Sequence, residues 1–425
     1  MGHAMNKSIP VAPPSCDEVP PGTLSVEQAL AQIDALIIPV EETITLGLTE
    51  ALHHVLAEVV TSPINVPPHR NSAMDGYAVR AADLSDTDKI ELKIIGTAFA
   101  GNPFGASVGK GECIRIMTGA QVPVGADTVI MQEHVERHED LLGVGPGHQA
   151  GQNVRHPGED IAKGAVVLEA GTLLGAAELG LLASLGIPAI TVKRKLRVAF
   201  FSTGDELRPV GEPLAEGQIY DSNRYTIYGM LKGLNVEIFD LGVIPDDPLA
   251  VENAFNEAAM LADAVITSGG VSVGDADYVK QTLDKLGQVN FWKIAMKPGK
   301  PLAFGKIKQA VFFGLPGNPV SVMATFYQFV QPALRRMMGQ PKVMPVIVQL
   351  PCSEALKKRP GRTDFQRGIM EYDAEGHLNV RSVGMQASHI LSGMSRANCF
   401  IILPREWGNV EAGTLVDVQP FEGLM

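Results

Sequence analysis

Four apolar runs of strand length, each followed by a turn and a helical stretch, constrain residues 193–336 more tightly than any other feature of the chain. LRVAFFS leads to TGDEL, VEIFDLGVI to PDDP, DAVITSGG to VSVGDADY, and AVFFGLPGNP to the helical VSVMATFYQFVQPALRRM. Runs this continuous are apolar on both faces, so the strands need cover above and below. Alternation with helices then predicts a parallel sheet in a doubly wound α/β domain. Ligands of such sheets sit outside the carboxyl ends of the strands.

The flanking segments read differently. Ser25 precedes VEQALAQIDAL with Gln28 three residues on, a capping box opening an amphipathic helix. A second helix is expected from Thr49 through EALHHVLAEVV. Pro63, Pro67 and Pro68 then lead into NSAMDGYAV and the short runs LKIIGTA, ECIRIMTG and DTVIMQEHV, which predict a mostly β insert. GAAELGLLASLG reads as a helix stopped by Gly186 and Pro188. Beyond Pro341, VIVQL, HLNVRSV, NCFIIL and TLVDVQPF, with a turn at Asp373-Ala374-Glu375-Gly376, predict a small β-barrel or sandwich.

Composition narrows the function. The 425 residues suffice for two to four domains, and a net charge of −12 argues against nucleic acid, whose binders carry a basic excess. Cys16, Cys113, Cys352 and Cys399 form no CxxC pair, so neither a zinc knuckle nor a disulfide framework is indicated and the thiols read as reduced and cytoplasmic. The most apolar stretch, Leu173 to Val192, is broken by glycines, Glu178 and Pro188, so no membrane span is expected. Residues 1–23 read as a short scar, MGHA, followed by a flexible Pro-rich lead without an apolar targeting core.

Each strand end of the α/β segment carries polar punctuation. Thr203, Gly204, Asp205 and Glu206 follow the first strand, Asp246 and Asp247 the second, and Ser268, Gly269, Gly270, Ser272, Gly274, Asp275 and Asp277 the third. Any one acidic pair could be solvated surface, and Asp247-Pro248 suits a helix cap. Converging carboxylates that repel one another persist when a hard cation such as Mg²⁺ binds among them, which fits a phosphorylated substrate. SGGVSVG allows backbone N–H groups to approach an anion, although Gly-rich turns are common, and it matches neither the dinucleotide nor the P-loop pattern. Lys293, Lys297 and Lys300 lie before and within the rigid KPGKP turn, where they could neutralise phosphate or an oxyanion or serve only as edge charges. GLPGNP, with Pro316 and Pro319, forces another tight turn that would shape a pocket wall.

Three further features stay open at this level. Asp75-Gly76 could be an ordinary hairpin turn, Arg155 and Asp160 could be a surface loop, and a Ser388-His389 dipeptide is no triad. His134 and His138 have helical spacing, yet without HExxH and in a β context a zinc site is not expected.

Taken together, SAMDGYAVR, RIMTGA, GED at 158–160, STGDEL, YDSN, PDDP, SGGVSVGDADY, FWKIAMKPGKP, GLPGNPVS, GRTDFQRG and QASHILSGMSRANCFIILP resemble, in order, the MoeA family of molybdopterin molybdenumtransferases from Leu24 onward. The resemblance implies four parts: an elongated dimerisation region at 24–46 and 161–192, the β-rich insert at 47–160, a molybdopterin-binding α/β domain at 193–336 and a C-terminal β-barrel at 337–425. It implies a homodimer with a cleft between the α/β domain of one subunit and the insert of the other. The implied reaction joins molybdate to adenylylated molybdopterin with release of AMP, assisted by Mg²⁺ or a similar cation. Molybdopterin adenylyltransferase is an implied partner.

The matching motifs carry Asp75, Thr118, Arg155, Asp160, Glu206, Asp246, Asp277, Lys293, Lys297, Pro316, Pro319 and Ser388 as site residues. Asp246 and Asp277 are the expected cation ligands or electrostatic organisers, Lys293 and Lys297 contacts to molybdate or phosphate, Ser388 a molybdate contact, and Ser268, Gly269, Gly270, Ser272 and Gly274 the cradle for the pterin phosphate. An adenylyltransferase of the same α/β fold would lack the insert and barrel, and a non-catalytic scaffold could dispense with the carboxylates.

Overall fold

The computed structural model describes residues 22–269, 278–341 and 345–421. The chain forms two compact units, one from Thr45–Leu52 and Leu56–Val192, the other from the segments up to Ile44, His53–Val55 and Lys193 onward.

In the second unit the central sheet runs in the order Glu237–Ile244, Arg197–Thr203, Ala264–Ser268, Ala310–Leu315, Pro301–Ile307 and Gly287–Lys293. The first four strands are parallel. The last two pairings are antiparallel, with Pro301–Ile307 running against the other five strands, so the parallel expectation holds for the first four strands and fails at one edge. The reason is the connection: a short turn between Ile307 and Ala310 cannot carry the crossover a parallel neighbour needs.

The apolar runs are two-faced, as expected. Val198 and Phe200 join Ile266 and Phe313 on one face with Ile227 and Leu231 of helix Ser222–Lys232. Ala199 and Phe201 join Val265 and Phe312 on the other, beneath Val251 and Phe255 of helix Pro248–Leu261. Phe255 meets Phe201 and Phe312 edge-on, with centroids at 5.1 and 5.5 Å. Truncating Phe200, fully buried, to Ala would cost about 3–5 kcal/mol. Helix Pro319–Thr325 continues through a π-turn, Phe326–Val330, into Gln331–Met337. Pro332, which has no N–H to give, lies just after that irregular turn.

The C-terminal strands Val348–Pro351, Thr363–Tyr372, Leu378–Ser382, Cys399–Leu403 and Leu415–Pro420 form a sheet that a Cys352–Val380 bridge closes on itself. This is the barrel expected from the alternating runs, around Cys352, Val380, Ile401 and Val418. Its longest strand, Thr363–Tyr372, lay hidden in a stretch whose charged residues mask the alternation.

In the first unit, Gly76–Val79 is a fully buried inner strand between Thr128–Met131 and Glu112–Ile116. The sheet continues through Ile90–Ala98, Leu141–Val144 and Val135–His138. His134 closes a 3-10 turn and His138 a strand, so their helical spacing does not place them on one helix face. Helix Ala176–Ser184 stops as expected, with Gly186 at φ 73°.

The amino-terminal helix Val26–Leu36 has both bonds of its capping box. The helix expected from Thr49 is absent. Residues 48–53 are turns and His53 takes φ 62°. The β-branched Val55, Val59 and Val60 disfavour a helix, and Leu56 instead bridges to Val192. No helix among the described residues is long and apolar enough to cross a membrane.

Candidate active site

Two adjacent strand ends build an acidic rim. Asp205 and Glu206 follow Arg197–Thr203, and Asp246 follows Glu237–Ile244. The Asp246 N–H donates to Asp205 Oδ1 at 3.1 Å. Removal from water, then the negative charges of Asp205 and Glu206, raise the Asp246 carboxyl above the ordinary aspartate value. Three carboxylates therefore sit together at these two strand ends, and the other two oppose the charge of Asp246. Asp247 does not join them: its Oδ1 accepts from Ala250 N at 2.8 Å and caps helix Pro248–Leu261. Asp275 and Asp277, with Gly270, Ser272 and Gly274, lie outside the described residues.

The start of the Gly-rich loop is described. Gly269 has φ 92°, and a Cβ there would lie 2.7 Å from Thr203 O, so only glycine permits this approach of neighbouring strand ends. Ser268 is buried, and its Oγ accepts from Asn223 Nδ2 at 2.8 Å. The same Nδ2 donates to Gly317 O at 2.7 Å, tying the Ser268 strand to the turn between Pro316 and Pro319. Asn223 follows Asp221, the buried cap of helix Ser222–Lys232. Sequence reasoning gave Asn223 no role, although YDSN, with a capping Asp just after a short extended pair, was a usable signal. Ser202 Oγ, Thr267 Oγ1, Asp221 Oδ2 and Asn223 Oδ1 are buried at this end of the sheet without a partner among the described residues. Such orphaned groups fit a ligand-binding end.

The lysine turn lies across a different junction. Met296–Lys297 pairs in parallel with the start of Thr363–Tyr372, which sets Lys297 beside the buried Asp364. Gly299, at φ 103°, packs against Thr325 so closely that a Cβ would meet its Cγ2 at 3.1 Å. Pro319 opens that same helix, and Val320 N donates to Ser388 O at 3.2 Å. Lys297, Pro319 and Ser388 thus belong to segments gathered on the first helix after GLPGNP. Lys293 is exposed at the end of the edge strand Gly287–Lys293, and its carbonyl accepts from Leu24 N at 2.9 Å.

In the first unit Asp75 is not a hairpin turn. It precedes the inner strand Gly76–Val79, and its Oδ1 accepts from Thr118 N at 2.7 Å and Thr118 Oγ1 at 2.8 Å. Those two bonds, backbone first, hold its carboxyl below the ordinary aspartate value, with Arg115 adding attraction. Arg155 pairs with Asn71 in a short antiparallel ladder. Asp160 lies on the turn beyond, its N–H given to Val66 O at 3.0 Å. No hydrogen bond or ion pair joins Arg155 to Asp160 among the described residues. The structure therefore pairs Asp75 with Thr118 and leaves Arg155 and Asp160 as neighbours along the chain.

A doubly wound sheet with an acidic rim, a Gly-rich turn and a lysine turn defines an anion-handling α/β protein. Comparison with known proteins specifies it. Residues 24–186 match the MoeA N-terminal region (domain I and II), 199–336 a probable molybdopterin binding domain, and 349–421 the MoeA C-terminal region (domain IV). The chain is 49% identical over 405 residues to a molybdopterin molybdenumtransferase of Haemophilus influenzae, covering 95% of this chain and all of the relative. It is 36% identical over 372 residues to one from Nostoc, covering 86% and 85%. A crystal structure of a molybdopterin biosynthesis moeA protein from Pyrococcus horikoshii superposes with a TM-score of 0.82 at 31% identity over 94% of this chain and all of that one. The chain belongs to the MoeA family.

Proposed function

We propose that this enzyme is a molybdopterin molybdenumtransferase: it inserts molybdate into adenylylated molybdopterin, releases AMP and forms molybdenum cofactor. The observation that carries the reading is the rim of Asp205, Glu206 and Asp246 beside the Gly269 turn, in a segment that matches a molybdopterin binding domain. All-oxygen donors whose charges oppose one another suit a hard divalent cation, and Asp246, with Asp277, is our choice of Mg²⁺ ligand. When bound, Mg²⁺ would supply positive charge beside the phosphate linkage.

The protein's own groups account for the rest. Ser268 and Gly269, with Gly270, Ser272 and Gly274, cradle the terminal phosphate through the strand-end turn. Pro316 and Pro319 fix the wall that Asn223 ties down. Lys297, Lys293 and Ser388 attract molybdate, an oxyanion best held by cationic and hydrogen-bonding groups. Asp75, kept ionised by Thr118, acts with Arg155 and Asp160 from the insert of a second subunit, which makes the working form a homodimer paired through 24–46 and 161–192. Glu206 reinforces the rim. We place the insert at 47–160, the α/β domain at 193–336 and the barrel at 337–425, with the enzyme in the cytoplasm and molybdopterin adenylyltransferase as the contact that hands over substrate.

The test is direct. The purified chain is incubated with adenylylated molybdopterin, Mg²⁺ and low molybdate, and AMP is followed together with reconstitution of an apo-molybdoenzyme. Molybdate-dependent AMP release is expected; its absence overturns the reading.

A further inference from the structure

Arg367 is the bulkiest side chain shut away from solvent among the described residues, at 1% exposure. Buried arginines are normally matched by a carboxylate. Here Nη2 donates to Met385 O at 2.6 Å, Nη1 to Ile390 O at 2.7 Å and Nε to Gln386 Oε1 at 3.2 Å. Gln386 is itself locked, its Oε1 accepting from Arg367 N at 2.9 Å and its Nε2 donating to Arg367 O at 3.1 Å and Ser382 Oγ at 2.9 Å. No ion pair with a carboxylate is present among the described residues. Burial and the like charge of Arg396 both lower its proton affinity. Gly393 leaves room for the guanidinium, because a Cβ there would lie 3.0 Å from Nη1.

Every side-chain bond of Arg367 therefore goes to one short loop, and Ser388 lies between the two carbonyls it grips. The loop has a second tether, from Val320 N to Ser388 O, at the helix that follows GLPGNP. A neutral apolar residue would fill this space at lower desolvation cost but could not hold three acceptors at once.

We infer that Arg367 is a positioning residue: it clamps the 385–390 loop on the barrel side so that Ser388 is presented at the first turn of helix Pro319–Thr325. Its link to catalysis rests on the reading of Ser388 as a molybdate contact. A clamp of this kind acts through Ser388, so its loss and the loss of Ser388 should not add.

The experiment uses the full chain with Arg367→Met, Arg367→Lys, Ser388→Ala and the Arg367→Met/Ser388→Ala double variant. Arg367→Met is expected to raise the molybdate KM about tenfold with kcat within about threefold of the parent. Arg367→Lys, which keeps the charge and part of the donor set, should recover most of that loss. The double variant should match Ser388→Ala within about twofold. Losses that multiply, or a fall in kcat with unchanged KM, overturn the inference. Should Arg367→Met fail to fold, Gln386→Ala in combination with Ser388→Ala carries the same cycle.

Amide exchange reads the clamp without reference to the reaction. Exchange across 387–390 should quicken about tenfold in Arg367→Met while strand Cys399–Leu403 stays protected. Unchanged exchange overturns the clamp. Quickened exchange in an enzyme that shows no molybdate-dependent AMP release upholds the clamp and overturns the functional reading instead.

Discussion

Asp75 and Asp246 lie in different compact units, and the protein treats them oppositely. Asp75 is exposed yet receives two hydrogen bonds from Thr118, which stabilise its charge. Asp246 loses water and faces Asp205 and Glu206, which oppose its charge. Desolvation and neighbouring charge separate two carboxylates that composition counts as alike. Asp75 is complete as an anion in the free protein, whereas desolvation and neighbouring charge oppose ionisation of Asp246.

The adjoining glycines sharpen the contrast. At Gly76 a Cβ would sit 2.0 Å from Ile130 O, a backbone atom in the neighbouring strand that cannot yield. Gly76→Ala should cost about 3 kcal/mol, which moves the insert's unfolding transition by about 6–12 °C in calorimetry. At Gly204 the Cβ would meet Glu206 Oε2 at 2.5 Å, the free end of a side chain, at φ 148°. Gly204→Ala should cost about 1–2 kcal/mol, mostly backbone strain, while displacing Glu206 from the rim. If the two variants lose equal stability, the distinction between a rigid and a yielding neighbour is wrong.

Next in size is the metal response. Asp246→Asn removes a proposed ligand, so AMP release at limiting Mg²⁺ should fall about tenfold or more, with part of the loss recovered at high Mg²⁺. Asp75→Asn should show no such recovery. Equal Mg²⁺ dependence in both would erase the comparison. Thr118→Val, smaller still, deletes the hydroxyl bond but keeps the backbone one. The carboxyl of Asp75 then moves back towards the ordinary aspartate value of about 4, so the acid limb of the pH–rate profile should move up, with the loss confined to below about pH 4 and little change at neutral pH.

The same physics explains what the sequence discloses. Strands of the α/β domain were legible because both faces are buried, so Val198 to Phe201 are apolar without a break. Their carboxyl ends located the rim, and Asp247 declared itself a cap through the proline that follows. Thr363–Tyr372 was illegible as a strand, since buried Asp364, Gln366 and Arg367 make it look like surface. What keeps those residues inside is partners distant in sequence: Lys297 in register, Met385 and Ile390 by hydrogen bond. The helix expected at Thr49 failed for a related reason, because a bridge to Val192 outweighs local propensity. Asp75 looked like a turn because Asp-Gly usually is one, and only the Ile130 carbonyl shows why glycine is required there.

The smallest effect tests the comparison without any substrate. A carboxyl depressed in the folded state stabilises the fold above its unfolded value, near 4, and loses that contribution as pH falls through its folded value. Asp75→Asn should therefore lower Tm at pH 7, with the gap to the parent closing on acidification. A raised carboxyl acts the other way: the fold holds the proton more tightly than the unfolded chain, so ionised Asp246 weakens the metal-free protein at neutral pH. Asp246→Asn should raise Tm by about 1 °C in chelator at pH 7, a small shift because water screens a group this exposed. That gain should vanish as the parent's Asp246 takes up its proton at lower pH. Under saturating Mg²⁺ the sign should reverse, since a cation held at the proposed ligand Asp246 would stabilise the folded parent by mass action. A lower Tm for Asp246→Asn in chelator would mean that the rim is satisfied within the protein itself, and the contrast with Asp75 would fall.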